Sequence, residues 1–167
     1  MPTAEQENLL LRLAHYPADR YPVQHATTQF HLGSSLLHAG DERAAREPLP
    51  VAQQVFGQAG MALEQAKATV MLGIALRTTR ELDRAAECFH DAATALAGLA
   101  QPAEQAAALY NVGLVCQDAG DLEQAGRAWS TASELFDSAG YPAQASAAAR
   151  DHGAALLAAG EVEAAVP

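Results

Sequence analysis

Apolar and small residues recur along the chain at a helical period. Short polar turns interrupt that period at regular intervals. Residues 101–140 show it most plainly, reading QPAEQAAALYNVGLVCQDAGDLEQAGRAWSTASELFDSAG. Two amphipathic helical patterns are joined there by the turn Ala119-Gly120-Asp121. The arrangement returns every forty residues. Gly33, Gly73, Gly113 and Gly153 hold one phase, and Ala45, Ala85, Ala125 and Ala165 a second. Leu49, Phe89 and Trp129 hold a third, and Ala52, Ala92 and Ala132 a fourth. Gly40, Gly120 and Gly160 share a further phase, in which Arg80 replaces Gly. A fixed period of this size marks an array of repeats, each burying its apolar face on the next. The pattern predicts helices over about 23–39, 42–58, 62–79, 82–98, 102–119, 122–138 and 142–159, and no strand.

Local chemistry refines the boundaries. Gly40 suits a left-handed helix stop, and Asp41 can cap the helix after it. Pro48 and Pro50 interrupt the second helix of the first repeat, so a kink or break is expected near Glu47. The turn at Thr78-Thr79-Arg80 lacks Gly and is expected to be strained or differently shaped. Residues 4–15 carry Leu9, Leu10 and Leu13 at helical spacing before Pro17, and suit a cap on the open end of the first repeat. Glu161 to Val166 spans under two turns and is expected to fray.

The best-formed unit resembles a tetratricopeptide (TPR) repeat. Val112, Gly113 and Cys116 match the family's first-helix positions, and Ala125, Trp129 and Ala132 its second-helix positions. The period departs from the common unit of about 34 residues and resembles the forty-residue variety found in bacterial TPR regulators and scaffold proteins. The resemblance implies an all-α solenoid of antiparallel helix pairs in a right-handed superhelix, about three and a half repeats long. The whole chain, 1–167, is then one TPR domain. A capping helix at 4–20 precedes repeats at 21–60, 61–100 and 101–140, and an incomplete fourth at 141–167.

Charge narrows the partners. Ten Lys and Arg face twenty Asp and Glu, for a net charge of −10. Duplex nucleic acid binds chiefly through Lys and Arg on phosphates, and anionic membranes attract basic segments, so neither is expected. No apolar run is long enough to span a bilayer, and the N-terminus lacks the basic start and apolar core of a secretion signal. Cys88 and Cys116 are far apart in sequence with no C-x-x-C, which predicts free thiols and a cytoplasmic protein.

No catalytic constellation emerges, and no metal or cofactor is expected. His31 and His38 share a helix face, but two turns separate them by roughly 10 Å, too far for one metal ion without a ligand from elsewhere. Asp41 with Glu42, and Asp121 with Glu123, stand at helix starts, where acids complement the dipole. Ser34 and Ser35 lack a nucleophile-elbow context.

In the TPR family the first helices line a concave face. Carried across, the resemblance assigns a partner-binding groove to Phe30, His31, His38, Lys67, Met71, Arg77, Tyr110, Asn111, Gln117 and Arg150. Phe30, Met71 and Tyr110 would be apolar anchors. Asn111 would offer a donor and an acceptor to a peptide backbone. The carboxylate-clamp pattern of the family is absent, since the matching positions hold Phe30, Ser34, Met71, Ala107 and Asn111. The expected function is a non-enzymatic module binding a peptide or helix of a partner protein. Two rivals are a peptide-sensing fragment of a larger bacterial regulator and a scaffold that self-associates through the open end of repeat four.

Overall fold

The computed structural model describes residues 2–165, with side-chain surroundings as far as Gly160. Val166 and Pro167, the last residues of the expected fourth repeat, lie outside the described residues. Nine helices and no strand are found among those described: α1 (Ala4–His15), α2 (Pro22–His38), α3 (Glu42–Ala45), α4 (Pro48–Gln58), α5 (Ala62–Thr78), α6 (Leu82–Gly98), α7 (Pro102–Ala119), α8 (Leu122–Ser138) and α9 (Pro142–Ala165). The first helices α2, α5, α7 and α9 start forty residues apart. The chain divides between Cys88 and Phe89, within α6, into two compact units.

In the first unit, α1 packs on α2, α2 on α3 and α4, and α4 on α5. A capping box starts α1: the Gln6 amide donates to Thr3 Oγ1 at 3.2 Å, and the Thr3 amide donates to Gln6 Oε1 at 2.9 Å. Leu9 is buried on the inner side of this helix. His25 Nδ1 pairs with the Tyr16 carbonyl at 2.9 Å and ties the end of α1 to α2. Ala26, Ala52, Phe56 and Ala68 form a core with Phe30, Val55 and Met61 against it. The prolines act as the sequence predicts. The second helix of the first repeat breaks at Arg46–Glu47 and restarts at Pro48, whose missing N–H is harmless in a first turn.

In the second unit, α7 packs on α8 and α8 on α9. Ala106, Ala132, Phe136, Ala145 and Ala148 make one core cluster, and Ala125, Trp129 and Ala155 another. Asp121 caps α8 by accepting from the Gln124 amide at 3.0 Å. Trp129 is 1% exposed. Its ring lies where Gly113 leaves room: a Cβ there would sit 2.3 Å from Trp129 Nε1. Gly33 serves Leu49 alike, with 2.6 Å to the leucine's branch carbons. At Gly33 with Leu49 and at Gly113 with Trp129, the Gly phase and the large-apolar phase are therefore the two halves of one contact.

Six helix ends share one geometry. The residue at the left-handed position is Gly40 (φ 75°), Gly60 (71°), Arg80 (68°), Ala100 (53°), Gly120 (86°) or Gly140 (81°). In each, the following amide bonds the carbonyl five residues back, as Asp41 to Leu36, Glu81 to Leu76 and Asp121 to Cys116, all at 2.9 Å. This is the Schellman closure. The turn at Arg80 is thus not differently shaped. It keeps the common geometry and holds a side chain where Gly would be unstrained. The expected turn at Gly160 is not formed, and α9 runs through it to Ala165. A Gly inside a helix costs about 1 kcal/mol.

Two predictions follow from this packing. Gly113→Ala should destabilise the protein by about 1–3 kcal/mol through overpacking on Trp129, despite Ala being the better helix former. Urea denaturation measures it, and the penalty should vanish in a Trp129→Ala background, which itself costs about 3–5 kcal/mol. Arg80→Gly and Ala100→Gly should each stabilise by up to about 1 kcal/mol. The left-handed strain of about 1–2 kcal/mol is relieved, less the added freedom of the unfolded chain. A lowered melting temperature in both would show that these turns carry less strain than the unfolded chain gains in freedom.

Candidate functional site

The cleft that best matches the expected groove lies in the second unit, on the first-helix side. It has a volume of about 260 Å³ and is lined by Ala107, Tyr110 and Asn111 of α7, Gln144 and Ala147 of α9, and Phe136 of α8. Ala107 and Ala147 are what open it, because longer side chains at either position would fill the space between the helices. Its walls are held firmly. The Tyr110 hydroxyl donates to Asp151 Oδ2 at 2.5 Å across to α9, and its ring lies 6.2 Å from that of Trp129. Trp129 Nε1 donates to the Tyr110 carbonyl at 3.1 Å. Asn111 Nδ2 donates to the Ala107 carbonyl at 2.8 Å, which fixes the amide in one orientation. Its oxygen and second N–H are the remaining hydrogen-bonding capacity.

The sequence-derived candidates divide between the two units. Tyr110 and Asn111 come together in the cleft. Arg150 is exposed on α9, where its Nε donates to Asp151 Oδ1 at 3.3 Å beside the Tyr110 contact. Gln117 is exposed near the end of α7. In the first unit, Phe30 is half-buried against Phe56, with ring centroids 6.3 Å apart, and also meets the His31 ring at 5.6 Å. Its face is partly spent on the core. Met71 and Arg77 are half-buried on α5, Lys67 is exposed there, and His31 and His38 are exposed on α2. His38 Nδ1 pairs with the Ser34 carbonyl at 2.7 Å. Tyr110, expected as an apolar anchor, also carries a polar contact at its hydroxyl. That hydroxyl is already committed to Asp151, since a half-buried phenol between two helices bonds the carboxylate within its reach.

Gln144 and Phe136 were missed by sequence reasoning. Gln144 lies one helical turn before Ala147 and shares its face, so helical spacing along α9 could have found it. Phe136 reaches the cleft from a second helix, and no first-helix pattern points to it. Among the described residues, no three His, Cys, Asp or Glu side chains are placed to hold a metal ion, and no helix is long and apolar enough to cross a membrane. Cys116 packs beside Trp129, and both its burial and, to a lesser degree, the nearby Asp121 carboxylate push its thiol pKa up. A raised value makes it a poor nucleophile at neutral pH.

The fold is that of TPR-like helical-repeat proteins. No protein-family model matches the chain, and no curated protein matches it in sequence. Solved structures resemble it in fold. The apo form of RapI superposes with a TM-score of 0.69 at 14% identity, over 91% of this chain and 47% of RapI. A Podosopora anserina kinesin light chain with nearly identical TPR-like repeats gives 0.66 at 12% identity, over 90% of this chain and 85% of that one. BtubC (BKLC) from P. vanneervenii gives 0.62 at 15%, over 93% and 72%. The chain thus spans about half the length of RapI.

Tyr110→Phe isolates the inter-helix hydrogen bond without emptying the cleft wall. It should cost about 1–2 kcal/mol, the range for a hydrogen bond to a charged partner at a half-exposed site. Chemical denaturation of Tyr110→Phe, Asp151→Asn and the double variant measures it. Additive losses would show that the two groups do not interact.

Proposed function

We propose that this protein is a non-enzymatic interaction module that binds a polypeptide segment of a partner protein in the α7/α9 cleft. The observation that carries this reading is the cleft itself. Two alanines make a floor, an aromatic wall is fixed by its own hydrogen bonds, and Asn111 and Gln144 border the opening. An apolar side chain of the partner enters the space between the alanines. The two carboxamides then hold the adjoining peptide groups, each being able to donate and accept. Binding sites of this kind combine an apolar recess with a few fixed polar groups. TPR-like repeats use such first-helix surfaces for protein recognition, and the regular spacing of α2, α5, α7 and α9 supports this reading.

Arg150 and Gln117 belong to the same unit as the cleft, and Phe30, Met71, Lys67 and Arg77 are first-helix candidates of the first unit considered by itself. In this reading the charged members set orientation and salt sensitivity, while the cleft supplies most of the energy, as binding energy concentrates in a few central contacts. The excess of acids keeps the protein away from polyanions and favours partners that are neutral or basic at the contact.

Peptides selected from a random displayed library against the intact protein provide the test. Ala147→Leu, which fills the cleft, should weaken the selected peptides at least tenfold, and Asn111→Ala roughly tenfold. Glu134→Ala, on the exposed side of α8, should leave both affinity and melting temperature unchanged. Loss of binding in Glu134→Ala with silent cleft variants would put the partner on the opposite face.

A further inference from the structure

The two units differ in charge. Residues 1–88 hold ten Asp and Glu against eight Lys and Arg, a net −2, while residues 89–167 hold ten against two, a net −8. The unit with the α7/α9 cleft therefore bears most of the chain's charge. Both of its cations already lie beside acids. Arg127 pairs with Glu123 on α8, and Arg150 Nε donates to Asp151 Oδ1 at 3.3 Å. On α7, Glu104 stands one turn before Ala107 and two before Asn111, so it shares the face that forms the cleft wall. It is half-buried, and no ion pair holds it among the described residues. Gln144, forty residues on, has the matching place on α9 and lines the cleft from there. Tight turns join α8 to α7 and to α9, and α8 packs on both, so α7 and α9 run the same way. Glu104 and Gln144 thus stand at the same end of the cleft. A carboxylate and an amide carbonyl both accept, and Lys and Arg are the side chains that only donate and carry positive charge.

Resting on the reading of the cleft as a polypeptide site, we infer that it is selective for a basic segment of the partner. An apolar residue sits between Ala107 and Ala147, and a Lys or Arg within two residues of it is held by Glu104 and the Gln144 carbonyl. Helix geometry sets that interval. Glu104 is three residues from Ala107, a rise of about 4.5 Å along α7, and an extended chain advances about 3.3 Å per residue. The alkyl stem of the cation lies along the apolar wall while its charged end reaches the rim. A half-buried carboxylate is screened less than one in open solvent. An acid on the partner at the same place would face Glu104 within a unit of net charge −8 and be repelled. Asp151 does not share the role, because its two oxygens accept from Tyr110 and Arg150. An acid in the first turn of a helix is favoured by the dipole whatever it faces, so selectivity, and not stability, distinguishes Glu104 as a reader of the partner.

The probes are peptides from a random displayed library, selected on the intact protein and sorted for loss of binding to Ala147→Leu. Those that depend on the cleft should carry Lys or Arg within two residues of an apolar residue. Exchanging that base for Glu in the peptide should weaken binding at least tenfold. Glu104→Gln should weaken the basic peptides about fivefold, the range for a partly exposed ion pair. Glu104→Lys should reverse the preference, so that the Glu-bearing peptide binds better than its parent. Glu134→Lys, an equal change of charge on the exposed side of α8, should leave the preference in place. Melting temperatures should stay level across these variants. Cleft-dependent peptides without the basic residue, or a preference untouched by Glu104→Lys, overturn the inference and leave the cleft a polypeptide site. A Glu134→Lys as effective as Glu104→Lys also overturns it, because the attraction would then belong to the field of the whole unit. Peptides indifferent to Ala147→Leu would instead remove the cleft reading on which the inference rests.

Discussion

The contact between Gly113 and Trp129 sets the spacing of everything around it in the second unit. An indole ring is held against bare backbone on the facing helix, closer than any side chain would allow. From that position its N–H reaches the Tyr110 carbonyl and its ring lies beside that of Tyr110. The Tyr110 hydroxyl reaches α9 at Asp151. One close approach thus fixes the order of three helices through a chain of directional contacts. Burial of a large aromatic supplies the driving force, and the hydrogen bonds determine which arrangement is adopted. Gly33 and Leu49 make the equivalent contact in the first unit with an aliphatic side chain, which gives packing without the polar extension.

The cleft inherits its rigidity from this arrangement. Its floor consists of alanines because α7 and α9 carry small residues where they come closest, and its wall is a tyrosine already bonded at both its carbonyl and its hydroxyl. A partner entering there pays little to order the site, which is how preformed recesses gain affinity.

The helix boundaries were legible because the turns are chemically explicit. Gly40 with Asp41 and Gly120 with Asp121 combine a left-handed stop with a cap, and Pro48 marks the restart of the broken helix. The Trp129 contact was legible in outline from the Gly and large-apolar phases. What could not be read was how side chains already within the fold would use each other. Nothing in the spacing of Tyr110 and Asp151 announces a bond between residues 41 apart. Phe136 enters the cleft from a helix whose pattern reads as wholly structural. Arg80 and Gly160 show the complementary failure. Local propensity argues against a left-handed Arg and for a turn at Gly160, and in neither place does it decide the backbone.

The six left-handed closures, twenty residues apart, have a consequence for how such a chain can grow. Each joint is built from backbone alone, with an amide reaching the carbonyl five residues back, and takes the same form whether the central residue is Gly, Arg or Ala. Because the bonds that close each joint are backbone bonds, the joints match one another wherever the flanking helices pack alike. A forty-residue segment cut at two such joints carries matching ends, so it can be duplicated, removed or exchanged in frame without redesigning the connection. The length of this architecture is therefore free to vary independently of its local geometry, and binding surfaces on successive helix pairs can change one pair at a time.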